Sequence, residues 1–127
     1  MKIKTEDLNG IQLDYAAAVA TGQQVDFEAD TGCLWFEERD VWFVWNPSTE
    51  WAQCGPMMER FSISCYESVD LVSGEVFHWV GVNELVTRHR RGLIADNPRV
   101  AICRAVVFAK LGNEVDIPDE LADKEPS

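Results

Sequence analysis

Asn97-Pro98-Arg99-Val100-Ala101-Ile102-Cys103-Arg104-Ala105-Val106-Val107-Phe108-Ala109-Lys110-Leu111-Gly112 decides how the rest of the chain must be arranged. Asn97 is a good N-cap, because its side-chain oxygen can accept an orphan N–H of the first turn. Pro98 at the first helical position loses no hydrogen bond. Gly112 supplies the stop, and Lys110 in the last turn suits the helix dipole. Between them Val100, Ala101, Ile102, Cys103, Ala105, Val106, Val107, Phe108 and Leu111 cover nearly the whole circumference. A helix that is apolar on most sides is buried on most sides. The other elements must therefore be layered around it.

Toward the N-terminus the chain supplies those layers. The first ten residues are polar, with Ile3 and Leu8 interspersed, and read as a lead into a helix. Leu13-Asp14-Tyr15-Ala16-Ala17-Ala18-Val19-Ala20 predicts a helix from its alanine run, with Gly22 as a left-handed cap. Residues 23–31 alternate weakly and suit a short strand or an extended connection. Cys33-Leu34-Trp35-Phe36 and Val41-Trp42-Phe43-Val44-Trp45 are aromatic, β-branched runs divided by Glu37-Glu38-Arg39-Asp40, which predicts a hairpin. The second run is apolar at every position, so it is either buried on both faces or an exposed aromatic binding face. Phe61, Ile63 and Cys65 alternate with serines, and Val76 to Val82 reads as another strand. Residues 69–74 read as a turn. After the long helix, Val115 and Ile117 form a short extended piece ending at Pro118. The expected fold is α+β: a small, mainly antiparallel sheet covered by an N-terminal helix and a buried C-terminal helix. Residues 1–118 form one domain in this reading, and 119–127 form an acidic, flexible tail.

The chain has 127 residues, 46% of them apolar, and five tryptophans, enough for a core without disulfide or metal staples. Its formal charge of −11 repels nucleic-acid phosphates and anionic membrane faces, so no direct nucleic-acid binding and no membrane association are expected. Met1-Lys2-Ile3-Lys4 leads into Thr5, Glu6 and Asp7 rather than an apolar signal run, and no stretch of about 18 apolar residues exists. Both features point to the cytoplasm. Cys33, Cys54, Cys65 and Cys103 lack C-x-x-C spacing, and His78 and His89 lack zinc-ligand spacing. Free thiols, no metal and no cofactor are expected.

Trp45-Asn46-Pro47-Ser48-Thr49-Glu50-Trp51-Ala52-Gln53-Cys54-Gly55-Pro56 reads as a side-chain-rich loop, because Pro and Gly punctuate it and no period holds through it. This block, followed by Glu59 and Ile63, resembles the P-S-x-x-W-x-x-x-G-P loop of the NinX-like family of phage proteins. Two further blocks carry the same resemblance. Leu13-Asp14-Tyr15 through Ala20 to Gly22 is similar to the family's opening helix. Pro98 through Ala101, Arg104, Val107, Gly112, Glu114, Val115 and Pro118 is similar to its closing helix and exit. Ala16, Cys54 and Arg99 depart from the family pattern, and Tyr66 to Arg91 matches little of it. The resemblance implies a phage or prophage origin and an accessory role, and it brings no catalytic residues with it.

Within the loop, Trp45 and Trp51 could wall a pocket in which Asn46, Ser48, Thr49 and Gln53 orient a ligand. A structural alternative uses Pro47 to Glu50 as a helix or turn start, with Ser48 as its cap and Trp51 dropped into the core. Arg104 lies among apolar neighbours, where an arginine needs a partner. It could bind a ligand carboxylate or phosphate, although an ion pair with Asp14, Glu59 or Glu114 is the preferred reading. Arg88-His89-Arg90-Arg91 reads as a solvated basic loop, with a phosphate or acidic-partner site as its alternative. Cys54 with His78 or His89 has no signature of nucleophilic catalysis, and Glu37-Glu38-Asp40 and Glu114-Asp116 read as solvated faces. No catalytic set emerges. The leading expectation is a non-enzymatic binder of a small, nucleotide-like ligand, with Trp45, Asn46, Ser48, Thr49, Trp51, Gln53 and Arg104 as candidate contacts. The alternative is an acidic interaction protein that inhibits or adapts a host protein.

Overall fold

A computed structural model describes residues 1–69, 76–83 and 93–122. The elements run β1 (Lys2–Lys4), a 3-10 turn at Thr5–Asp7, α1 (Gly10–Thr21), β2 (Asp26–Glu28), β3 (Cys33–Glu38), β4 (Val41–Val44), α2 (Trp51–Arg60) and β5 (Ile63–Val69). Then come β6 (Val76–Asn83), β7 (Leu93–Ala95), α3 (Pro98–Leu111), β8 (Glu114–Asp116) and the helical turn α4 (Asp119–Ala122). The fold is α+β, and every strand pairing among the described residues is antiparallel.

α3 forms over the span its caps predict. The Asn97 side chain accepts the Val100 N–H at 3.0 Å, Pro98 opens the first turn, and the Gly112 N–H closes on the Phe108 carbonyl. A side-chain cap of this kind is worth about 1 kcal/mol. Ala101, Ile102, Cys103, Ala105, Val106 and Val107 are all buried, because α3 is flanked by α1, α2 and the β5–β6–β7 sheet. Its opposite number α1 is also short-chained: Ala16, Ala17 and Ala18 are buried, and small side chains let helix axes approach closely. Gly22 ends α1 with φ +78°, and its N–H reaches back to the Ala18 and Val19 carbonyls. That is the left-handed cap glycine adopts without strain.

The strands divide among three small sheets rather than forming one: β1–β8, β2–β3–β4 and β5–β6–β7. The N-terminal residues make a strand where a helical lead was expected. Lys2-Ile3-Lys4 has the alternation of a half-buried strand, and Ile3 sits opposite Val115 on β8. Thr5 locks this junction, with its hydroxyl on the Gly112 carbonyl and its N–H on that of Asn113.

A third helix, α2, takes in Trp51 to Pro56, so the expected loop ends at Glu50. Gly55-Pro56 is a strong local break signal. Burial of Cys54 and Met57 against the core overrides it, at the cost of the one hydrogen bond Pro56 cannot donate. Past Pro118 the body also continues: Leu121 is buried, and the Gln12 side chain donates to the carbonyls of Leu121 and Ala122. The acidic tail expected from residue 119 therefore has its first four residues packed as α4.

Candidate functional site

The segment from Trp45 to Glu50 is built as a tightly bonded connector. Trp45 is only 8% exposed; its indole meets Phe36 edge-on at 5.6 Å and its Nε1 donates to the Asp14 carbonyl at 2.8 Å. Ser48 is buried and its backbone N–H donates to Asp14 Oδ1 at 2.8 Å. Burial lifts the Asp14 carboxyl to about 6, and the hydrogen bonds from Ser48 offset only part of that rise. The Asn46 N–H donates to Gln53 Oε1 at 2.7 Å, while Gln53 Nε2 donates to the Val44 carbonyl at 2.7 Å. The Thr49 N–H and hydroxyl both turn back to the Asn46 carbonyl. The cap of α2 is Glu50, whose carboxylate accepts the Ala52 N–H, not Ser48.

Trp51 does not drop into the core. It is 46% exposed on the first turn of α2, and the Arg99 guanidinium stacks over its ring at 5.3 Å. The core anchor of the segment is Trp45. Cys54 faces inward from α2: its thiol touches the Arg99 carbonyl at 3.8 Å, and Cys65 on β5 touches the neighbouring Pro98 carbonyl at 3.9 Å. The Cys103 thiol donates to Cys54, which pulls Cys54 below the ordinary value and pushes Cys103 well above it. Both sulfurs are buried away from solvent, so neither is placed to act as a nucleophile.

Arg104 is 8% exposed and carries three internal hydrogen bonds. Its Nε donates to the Leu8 carbonyl at 2.9 Å, one terminal nitrogen to the Ile94 carbonyl at 2.5 Å, and the other to Asn9 Oδ1 at 2.8 Å. The sequence offered a carboxylate partner in Asp14, Glu59 or Glu114. The hydrogen-bond partners are instead two backbone carbonyls and an amide, which suit a planar guanidinium fork, while the nearby carboxylates of Asp7, Asp96 and Glu6 favour its charge against burial. Arg104 thus ties α3 to the start of α1 and to β7. Trp45, Asn46, Ser48 and Gln53 meet around Asp14 and Val44, while Arg104 bonds to Leu8 and Asn9, just before α1 begins.

A different surface carries the exposed aromatic groups. β3 and β4 form the expected hairpin, and its turn is Arg39-Asp40, both residues at positive φ (53° and 64°). A two-residue turn of that hand matches the twist of the flanking strands. β4 is the edge of its sheet, and Val41, Trp42 and Phe43 are each about half exposed. Residues directly opposite on paired strands share a face. Asp26 lies opposite Trp35, and Glu37 opposite Trp42, so two indoles and two carboxylates share the outer face of the hairpin. A cleft of ≈ 580 Å³ opens there, lined by Asp26, Phe27, Glu28, Trp35 and Trp42. The all-apolar run is split: Val41, Trp42 and Phe43 are exposed, and the chain turns into the core at Trp45. Trp35, Trp42, Asp26 and Glu28 were absent from the expected contacts, although the unbroken run beside acidic residues was the signal that could have found them.

The basic run Arg88-His89-Arg90-Arg91, the turn at 70–74, His89 and the side chain of His78 lie outside the described residues. Among the described residues, no group of three or more His, Cys, Asp and Glu side chains is placed to hold a metal ion. No helix among them is long and apolar enough to cross a membrane. A family model described as bacteriophage P22, NinX matches residues 4–110, from β1 to the last turn of α3. No curated protein matches the chain.

Proposed function

We propose a mode of action for a chain that belongs to the bacteriophage P22 NinX family: as a phage accessory protein, it docks on a basic surface of another protein in the bacterial cytoplasm. The observation that carries this reading is the half-exposed Val41-Trp42-Phe43 edge of the hairpin, set among carboxylates on a chain of net charge −11. Each large apolar side chain left in water forgoes about 1.5–3 kcal/mol of burial, so a gathered apolar edge is a surface awaiting cover. The acidic surroundings select a basic partner and accelerate its encounter. Around the loop before α2, by contrast, the Asn46 and Ser48 N–H groups, the Thr49 hydroxyl and the Gln53 amide all bond within the protein. Affinity capture from infected cells tests the reading. The wild-type chain retains a basic protein at low salt and releases it at high salt, and a Val41→Lys, Phe43→Lys variant of unchanged melting temperature does not retain it. Equal retention by that variant contradicts the reading.

One observation favours a small ligand as a second reading. A cleft of ≈ 320 Å³ between the end of α1, the hairpin and α2 is lined in part by Phe36, Trp45, Gln53 and Arg60. A nucleotide-like molecule could place its base on the aromatic edge and its phosphate at Arg60. A thermal-shift screen of nucleotides checks this, since a ligand specific for the native state raises the melting temperature. Loss of the shift in Arg60→Ala supports this cleft, and no shift with any nucleotide removes it.

A further inference from the structure

We propose that the cleft between Trp35 and Trp42 is the recognition site for one arginine side chain in a basic segment of the partner protein, an inference that rests on the docking reading above. The two indoles come from neighbouring strands and stand on the same face of the sheet, on a diagonal: Trp42 lies two residues from Val44, the direct partner of Trp35. Trp35 is held in place by its Nε1–H, which donates to Thr31 Oγ1 at 3.2 Å. Trp42 projects from the edge strand with half of its surface in solvent. Asp26 and Glu28 line the same cleft, and Glu37 lies directly across from Trp42. Among the described residues none of these three carboxylates has an ion-pair partner.

Indole faces carry negative quadrupole density, and carboxylates supply full charge, so the cleft is built for a cation with a flat body. A guanidinium fits both demands: it stacks on an aromatic face, forks to a carboxylate and sheds water more readily than an ammonium. The cleft volume of ≈ 580 Å³ admits such a side chain together with some of its flanking backbone. The occupant is a protein segment rather than a free cation because the cleft is larger than one guanidinium fills and borders the unpaired edge of β4, along which a peptide backbone can run. Val41 and Phe43 alternate onto the opposite face of that strand, so the cleft itself is made by the two indoles and their carboxylates.

The test is a titration of the full ¹⁵N-labelled chain with capped alanine–arginine, alanine–lysine and alanine–glutamine peptides, and with free argininamide, read on the five indole N–H resonances. The resonances of Trp35 and Trp42 shift with the arginine peptide, and that of Trp45, buried against Asp14, does not. Binding falls about tenfold in Trp42→Ala and in the Asp26→Asn, Glu28→Gln double variant, whose altered side chains lie at the surface. It is weaker for lysine and absent for glutamine. Shifts that persist in Trp42→Ala, or an absence of shifts, overturn the site. Argininamide binding as tightly as the peptide overturns the choice of occupant. If basic-protein capture is lost in Val41→Lys, Phe43→Lys but intact in Trp42→Ala and in the double variant, the docking reading stands and the arginine cleft falls.

Discussion

Asp14 on α1 holds Ser48 in the loop before α2 through a buried hydrogen bond, 2.8 Å from the Ser48 N–H to Oδ1. The backbone carbonyl of the same residue takes the Trp45 indole N–H. A single helical position therefore fixes the loop at two points, and that is why Trp45 and Ser48 are interior. The structural reading of the segment foresaw its tie to the scaffold, but it assigned the anchor to Trp51 and the cap to Ser48.

Asp14 makes stability depend on pH in a defined direction. Its native pKa of about 6 lies above the ordinary 3.8, so the folded state holds this proton more firmly than the unfolded state does. The contribution of Asp14 is fully present below pH 3.8 and is lost as pH rises to about 6. Asp14→Asn keeps an acceptor for the Ser48 N–H and removes the ionisation. Urea unfolding at a series of pH values should show Asn gaining about 3 kcal/mol on the wild type between pH 4 and 7. Asp14→Ala leaves the Ser48 N–H without a partner and should cost about 1–3 kcal/mol.

Arg104 is a structural cation in this account. Arg104→Met removes the donor from two carbonyls and an amide oxygen and should cost about 3 kcal/mol or more in chemical denaturation. Arg104→Lys should recover only part of that loss, because an ammonium cannot reproduce the fork. Binding by whatever folded protein remains should be unchanged. A loss of binding without a loss of stability would return Arg104 to the list of contacts.

The hairpin turn is improvable. Arg39 and Asp40 both adopt positive φ, which costs an ordinary side chain about 1 kcal/mol. Arg39→Asn with Asp40→Gly supplies the pair such turns favour and should raise the melting temperature measurably. An unchanged or lower value would mean that the native pair makes compensating contacts in solution.

The thiols should react in a fixed order. Cys33 stands on the outer face of β3 opposite Glu28 and is partly exposed, whereas Cys54 and Cys103 are buried. Cys65 is partly covered, and burial raises its pKa. A native-state titration with an aromatic disulfide should modify Cys33 first. Cys54 and Cys103 should appear only on unfolding.

Much of the fold was legible because local signals and tertiary demands agree there. The caps at Asn97, Pro98 and Gly112 gave α3 its ends, and Gly22 ended α1 as its left-handed φ requires. The hairpin followed from the polar break at Glu37 to Asp40. Legibility failed where a distant partner decides. Lys2–Lys4 is a strand only because β8 returns beside it from the far end of the chain. Gly55-Pro56 is helical only because Cys54 and Met57 are held in the core. Arg104 was read correctly as a buried group in need of partners, but backbone carbonyls have no sequence signature. The aromatic face was visible as a choice between burial and exposure, and that choice depends on β4 being an edge strand, which is a property of the whole sheet.

Site-specific photo-crosslinking in infected cells tests the central claim most directly. A photoreactive phenylalanine analogue replaces Trp42 in one version of the chain and Ile94, which is similarly exposed on β7, in another. The account predicts a crosslink to a basic protein from position 42 and none from position 94, with the position-42 product lost when the cells are lysed into high salt before illumination. Crosslinks of equal strength from both positions, or from position 94 alone, would contradict it.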